Sequence, residues 1–186
     1  DFVYRAPLAT VTYLGGYDSL KWDSLNGGPN YIFAPATTAA PNPAYQNRVY
    51  NQTEKPETIN QELRFTSPSQ DSRLTWQAGI YYFRNKNALD SFNFAPNGTQ
   101  TPTPVIHFLY DVEIKSLAEM AQLSYKLTES FKVTGGFRHN DDDKSRDGCF
   151  WAGPLSAPDC RPTNSGTQQH NRGSVKKDTY HVGLDW

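Results

Sequence analysis

The feature of this 186-residue sequence that most constrains its fold is a two-residue alternation of apolar and polar side chains. The clearest example covers residues 58–66 and resumes, after a short polar stretch, in residues 74–82. The same pattern recurs in residues 131–140 and 178–186. A period of two places successive side chains on opposite faces of a β-strand. Each segment therefore predicts a strand with one apolar and one polar face.

The connections between these segments alternate in length. Short polar turns are predicted at 67–73 and 128–130, whereas the loops expected at about 23–55, 86–104 and 141–176 are long. Aromatic residues flank both turns, and rings at a common level are typical of a membrane–water interface. Membrane barrels keep short turns on the periplasmic side and long loops outside. With a first strand from roughly Leu8 to Trp22, we count six strands and expect part of a transmembrane antiparallel β-barrel.

Residues 106–127 depart from simple alternation, because their apolar side chains move from even to odd positions. Ile114 ends the even series, and Ala121 begins the odd one. A continuous strand needs a one-residue bulge to change face, so we predict one near residues 115–119. Twenty-two residues at about 3.3 Å each exceed the hydrocarbon layer, so the upper half is expected to stand above the membrane.

Composition excludes several classes of protein and suggests a compartment. The net charge is −1 without a basic run, which argues against a nucleic-acid partner. No stretch approaches ~20 consecutive apolar residues, so spanning helices are not expected. Cys149 and Cys160 lie in one stretch rich in Gly and Pro, which favours a local disulfide and an oxidising compartment. Two unpaired thiols are the alternative.

The sequence lacks the motifs of catalytic sites, and its four histidines are scattered, so we expect neither an enzyme nor a cofactor. Asp143, Ser145 and Asp147 follow the first half of a calcium-loop pattern. The twelfth position of that pattern is Pro154 instead of an acidic ligand. A solvated acidic loop, or one that contacts cations associated with lipopolysaccharide, is the favoured interpretation, and a calcium site is the alternative.

Aromatic residues in the long connections are the candidate solute-binding residues, because a loop ring does not help to line a lipid face. Rings at a barrel mouth can hold an aromatic or sugar-like solute. The alternative is that they pack the loops against one another. The candidates are Tyr31, Phe33, Tyr45, Phe92, Phe94, Phe150 and Trp151.

Three segments resemble a known family. Residues 60–83 look like the mid-barrel hairpin of TonB-dependent outer-membrane receptors, 118–138 are similar to the next hairpin, and 178–186 to the following strand. His139 stands where the family tends to have Tyr. The resemblance implies that residues 1–186 are a fragment of a barrel of ~22 strands around a plug domain that is not in this chain.

The same resemblance implies a function and a set of partners. The chain would belong to an active transport receptor in the outer membrane of a Gram-negative bacterium, energised through TonB. An iron–siderophore complex is the expected solute, and cobalamin or an oligosaccharide is the alternative. Membrane lipid and lipopolysaccharide are the expected surroundings. No nucleic acid is expected.

Two other functions are compatible with the residues. A secreted β-sandwich, such as a lectin-like carbohydrate-binding module, could use the same loop rings. It would bury Trp76, Tyr125, Phe131 and Trp186 in a core, whereas a barrel would turn them toward lipid. A passive porin is the other alternative, and it would have a constriction loop and no plug.

Overall fold

The computed structural model describes residues 1–31, 45–69, 71–96, 102–151 and 167–186, which form one antiparallel β-sheet. No helix of these residues is long and apolar enough to cross a membrane. The order in the sheet is β1-β2-β4-β5-β6-β7-β8, and β3 pairs with β4. The strands are β1 (Phe2–Arg5), β2 (Thr10–Ser19), β3 (Trp22–Tyr31), β4 (Tyr45–Thr66), β5 (Leu74–Pro96), β6 (Pro102–Thr128), β7 (Phe131–Trp151) and β8 (Thr167–Asp185).

The described residues contain eight strands where the sequence predicts six, because β1 and β3 are additional. β3 continues β2, since both pair with β4 in one unbroken register. The interruption at Leu20 and Lys21 lies opposite Pro56, which has no N–H for the ladder. The amide of Leu20 still donates to the Pro56 carbonyl at 3.0 Å. β2 and β3 are thus two parts of one long strand, which is interrupted where Pro56 of β4 lacks a backbone N–H donor.

The strands also run farther than predicted, and they occupy most of the segments expected to be long loops. β5 continues to Pro96, β7 to Trp151, and β8 already begins at Thr167. Where both faces of a sheet meet water, the apolar–polar alternation is lost although backbone pairing continues. The short connections at 67–73 and 129–130 lie where the sequence places them. Their periplasmic location stays a prediction.

The predicted bulge at residues 115–119 is wrong. Pairing between β5 and β6 is continuous there, from Arg84 opposite Lys115 to Ile80 opposite Glu119. The register shifts of β6 lie elsewhere, next to Asn93 on one side and before Thr128 on the other. The strand therefore keeps its orientation, and its apolar side chains move from one face of the sheet to the other.

Paired residues of neighbouring strands point to the same side, so the registers define two faces of the sheet. One face, which we call the belt face, carries an apolar belt near the short turns, which Gln61 and Glu119 interrupt near the edge that is farther from the turns. The other, the reverse face, is mainly polar at this level and includes Glu62, Arg64, Gln77, Lys132 and Arg138. Belt residues include Tyr13, Tyr17, Ile59, Leu63, Phe65, Leu74, Trp76, Ile80, Tyr82, Leu117, Ala121, Leu123, Tyr125, Val133, Phe137, Tyr180, Val182 and Leu184.

The upper edge of the belt crosses the sheet obliquely. On β8 the belt ends, on the side away from the short turns, at Tyr180. The register partners across the intervening strands place Tyr180 level with Val11 on β2. On β2 it ends six residues later, at Tyr17. The edge of the belt thus shifts along the strands by about 1.2 residues for each of the five steps from one strand to the next. With about 3.3 Å per residue and about 4.8 Å between strands, the strands are tilted by about 40° from the perpendicular to the belt. Strands of membrane barrels tilt by about 35–45°.

The lower edge of the belt shifts in the same direction. Thr66, the last residue of β4, is level with Gln122 of β6, but β6 continues to Thr128. The belt therefore keeps a constant height when the strands are inclined. On β6 it runs from Leu117 to Tyr125, and eight steps at this tilt span about 20 Å of height. That height approaches the apolar band of about 25 Å in membrane barrels.

The belt face has no second protein layer over it among the described residues. Trp186 is 94% exposed and Tyr125 38%, while Trp76 and Phe131 are half-buried. Only Tyr110, Ala118, Cys149 and Trp151 are buried apolar residues within the described parts of the chain. A β-sandwich packs its apolar face against a second sheet. The described residues therefore do not form a β-sandwich over this belt.

Arg73 joins the two short turns. Its Nε and Nη2 donate to the carbonyls of Lys126 and Leu127 at 3.1 and 3.3 Å, and its guanidinium lies 5.2 Å from the Tyr125 ring. We expect Arg73→Ala to cost about 1 kcal/mol of stability, since two charged hydrogen bonds at an exposed site are lost. Limited proteolysis should then cut residues 67–73 faster. Arg73→Lys keeps the charge without the two-point contact and should be intermediate; an unchanged cleavage rate for the alanine variant would contradict this role.

Candidate solute-binding face

A band of ion pairs lies directly above the belt on the belt face. Glu113 accepts from Arg84 at 2.7 Å and from Lys115 at 2.9 Å, and Lys176 pairs with Asp141 at 2.7 Å. The hydrogen bonds from Lys115 and Arg84 lower the pKa of Glu113. Side chains that are charged and paired in this way are incompatible with hydrocarbon. The belt face therefore changes from apolar to water-exposed within a few residues.

The reverse face changes in the opposite sense at this upper level. We call Phe108, Tyr110, Arg146, Phe150 and Gln169 the ring cluster. The ring of Phe108 lies 5.2 Å from that of Phe150 and 6.0 Å from that of Tyr110. The guanidinium of Arg146 lies 3.8 Å from the centre of the Tyr110 ring, a cation–π contact. This is an apolar surface with a positive charge, on a face that is mainly polar nearer the short turns.

Gln169 holds the two polar members of the cluster together. Its Oε1 accepts from Arg146 Nη2 at 2.9 Å and from the Tyr110 hydroxyl at 3.4 Å. Its register partner on β7 is Gly148, which also lies opposite Tyr110. A Cβ at Gly148 would lie 2.6 Å from Cδ1 of Tyr110. The absence of a side chain there lets the Tyr110 ring lie on the strand, and Tyr110 is only 7% exposed.

No protein-family model and no curated protein matches the sequence. A solved structure does match: the ferric yersiniabactin uptake receptor FyuA from Yersinia pestis, at 15% identity with a TM-score of 0.66. The match covers 98% of this chain and 23% of the receptor, so the chain spans about a quarter of that protein. The fold is that of a β-barrel wall. At this identity the likeness shows the fold alone, and it confirms the predicted fold class, although the sheet of this chain is not closed.

The structure divides the predicted solute-binding residues between the two faces of the wall. Phe150 lies on the reverse face in the ring cluster. Phe92 and Trp151 lie on the belt face, where each pairs with His107 and where Phe92 stacks on the His107 ring at 3.9 Å. The structure therefore does not bring these three aromatic residues together.

The other four candidates do not contribute a described side chain. Tyr31 and Tyr45 pair at the ends of β3 and β4, and Phe94 lies near the end of β5. Their side chains, like Phe33 as a whole, lie outside the description. A solute-binding role for any of the seven stays a prediction. Those with a described backbone lie in strands, not in loops.

Asp143, Ser145 and Asp147 lie in β7, so they do not form the loop that the calcium pattern requires. All three point to the belt face, and in an extended strand such side chains follow a straight line. Asp147 pairs with His170 at 2.8 Å. Within the described parts of the chain, no group of three or more acidic, His or Cys residues could hold a metal ion.

The predicted disulfide involves one described and one undescribed residue. Cys149 is 1% exposed, and the described residues include no free cysteine. Cys160 lies outside the description, so its pairing with Cys149 stays a prediction.

Sequence reasoning missed four of the five members of the ring cluster. Phe108 and Tyr110 lie in a predicted strand, whereas the candidates were aromatic residues of predicted loops; Arg146 and Gln169 lie in the predicted loop at 141–176 but are not aromatic. The signal that could have found Phe108 and Tyr110 is the parity change in residues 106–127, and no sequence signal indicates Arg146 or Gln169. Since β6 has no bulge at that point, its even-numbered apolar side chains had to lie on the reverse face.

Proposed function

We propose that this chain is part of the wall of an outer-membrane active transport receptor for a scarce nutrient, an iron–siderophore complex, energised through TonB in a Gram-negative bacterium. The belt face contacts lipid, and the charged band above it lies among the headgroups of lipid and lipopolysaccharide. The reverse face lines the lumen. A plug domain outside this chain would couple the receptor to TonB.

The observation that carries the proposal is the exchange of polarity between the two faces along the same strands. Near the short turns the belt face is apolar, and the reverse face carries Gln77 and Arg138. Higher up, the belt face carries first ion pairs and then Phe92 and Trp151, and the reverse face carries the ring cluster. Lipid around the lower wall and a solute inside the upper wall require this arrangement. The likeness to a solved uptake receptor supports the same function.

The residues of the chain suggest how capture and release would be separated. A solute arriving from outside first meets the ring cluster, which is apolar and therefore retains a partly apolar complex. Below it, the reverse face is polar and hydrated, with Arg64, Gln77 and Gln122 along the wall. A solute that leaves the rings would thus enter a wet path, which opens only when the plug moves.

Deletion of the gene that encodes this chain tests the proposal. We expect the deletion strain to lose growth on one ferric siderophore as sole iron source, and a plasmid copy to restore it. Restoration should fail when TonB is absent or when the proton gradient is collapsed. Uptake that continues without TonB would favour the passive porin. Unchanged growth on every ferric complex, with an outer-membrane location confirmed by fractionation, would refute iron uptake.

A further inference from the structure

Arg146 is a cation without a carboxylate partner among the described residues. Its neighbours on the reverse face are Val112 on β6, Asn171 on β8, and Lys144 and Gly148 on β7. None of them is acidic, and Lys144 adds a second positive charge. By contrast, Arg84 of the wall contacts an acidic side chain. The charge of Arg146 is therefore available to an anion from outside the wall.

The guanidinium is held in place although it is not neutralised. The Tyr110 ring covers one of its faces, and Gln169 accepts from Nη2. Nε is buried and has no hydrogen-bond partner in the described structure. A charged group that is fixed beforehand loses little side-chain entropy when it binds a ligand. The arrangement thus provides a positioned cation that no carboxylate of the described residues neutralises.

The rings beside Arg146 add a second requirement. Phe108 and Phe150 lie on the same face as Tyr110. Phe108 on β6 is the register partner of Phe150 on β7. Aromatic side chains bind a flat ring by its face, and a guanidinium beside them binds an acid group at the edge of that ring. Two complementary features, an apolar surface and a positive charge, thus lie within one cluster.

We infer that the ring cluster recognises an aromatic anion, a planar ring that carries a carboxylate or phenolate, as the part of the solute that enters the lumen first. The ring packs against Phe108 and Phe150, and the anionic oxygens accept hydrogen bonds from Arg146. This inference rests on the proposed function, because it assumes that the reverse face lines a solute path. It adds the chemical class of the group that is recognised.

Binding of three simple probes to the complete polypeptide that contains this chain, purified in detergent, tests the inference. Benzoate has both features, benzamide lacks the charge, and cyclohexanecarboxylate lacks the aromatic ring. Ligand-observed NMR titration should show that benzoate binds at least about tenfold more tightly than benzamide, which corresponds to about 1.4 kcal/mol. It should also bind more tightly than cyclohexanecarboxylate.

Arg146→Gln should abolish the preference for benzoate over benzamide, and Phe150→Leu should reduce the preference for benzoate over cyclohexanecarboxylate. The matched control is Arg138→Gln, because Arg138 lies on the reverse face of the same strand, outside the cluster, and bonds to Asn140 at 2.9 Å. It removes the same charge and should leave both preferences intact. Equal yield of folded protein in the outer membrane checks that each variant is assembled.

The outcomes distinguish this inference from the proposed function. If benzoate and benzamide bind equally, or if Arg138→Gln has the same effect as Arg146→Gln, the recognition of an aromatic anion is refuted even when iron uptake depends on the gene. If the preference depends on Arg146 but deletion leaves iron uptake unchanged, the cluster binds aromatic anions and the proposed nutrient is wrong.

Discussion

Replacement of Leu123 by Arg is expected to cost about 2–4 kcal/mol of folding free energy in a bilayer, because the charge would enter hydrocarbon near the middle of the apolar belt. Leu123 is 52% exposed on the belt face of β6, so little protein shields it. In water an exposed Leu→Arg substitution is close to neutral. The large cost is therefore specific to a wall that faces lipid, and urea unfolding of the complete protein in phospholipid vesicles measures it.

Leu109→Arg is the matched control, because Leu109 lies on the same strand and the same face. It is 43% exposed, and its register partner on β5 is Asp90, so it stands above the belt beside a carboxylate. We expect a change of about 0–1 kcal/mol there, as for sites near or beyond the interface. Equal effects at the two positions would show that lipid does not cover the belt face, and with it the proposed function would fail.

The strands near the short turns could be predicted from the sequence, because one face of the sheet is apolar there and the other is polar. Leu63, Trp76 and Val182 alternate with polar neighbours, and the proposed function explains this, because lipid on one face and a hydrated lumen on the other favour different side chains. The predicted apolar sides of these segments all lie on the belt face. Each strand could be read without knowledge of its partners.

Above the belt this constraint disappears, and the sequence alone no longer indicates strands. Residues 141–151 are mainly polar on both faces, so Asp143 and Asp147 resembled a loop although they belong to β7. The strand is maintained by backbone pairing with β6 and β8, which depends on residues distant in sequence. The position of Glu119 relative to the belt is likewise not evident from the sequence. Its register partner is His139, and His139 pairs with Asp178 at 2.6 Å at the edge of the belt.

The ring cluster was hidden for a related reason. Phe108 and Tyr110 occupy even positions in β6, and their face depends on whether the strand contains a bulge below them. Sequence reasoning inserted a bulge to keep every apolar side chain on one face. The structure has an unbroken register there, so Phe108 and Tyr110 lie on the reverse face, whereas Leu109 between them lies on the belt face. The segment where the apolar positions change from even to odd thus leads into the candidate functional site. Local departures from a regular pattern are expected at functional sites.

Gly148→Ala should be the most damaging small substitution beside the ring cluster. Its Cβ would meet the carbonyl oxygen of Leu109 and would lie 2.6 Å from Cδ1 of Tyr110, so β6 and β7 would have to separate or the ring would have to leave its place. Overpacking of this kind costs about 1–3 kcal/mol. Because the displaced Tyr110 no longer supports Arg146, probe binding should fall together with stability. Urea unfolding and benzoate titration of the same preparation measure both effects.

Gly135→Ala is the matched control on the same strand. A Cβ at Gly135 has no heavy atom within 4 Å, so the substitution should be neutral or should stabilise by up to about 1 kcal/mol by restricting the unfolded chain. Addition of Tyr110→Ala to Gly148→Ala removes the clash with the ring but not the one with the Leu109 carbonyl. It should therefore recover only part of the lost stability while benzoate binding stays weak. If Gly148→Ala were as harmless as Gly135→Ala, the close approach of the Tyr110 ring to β7, on which the placement of Arg146 depends, would be refuted.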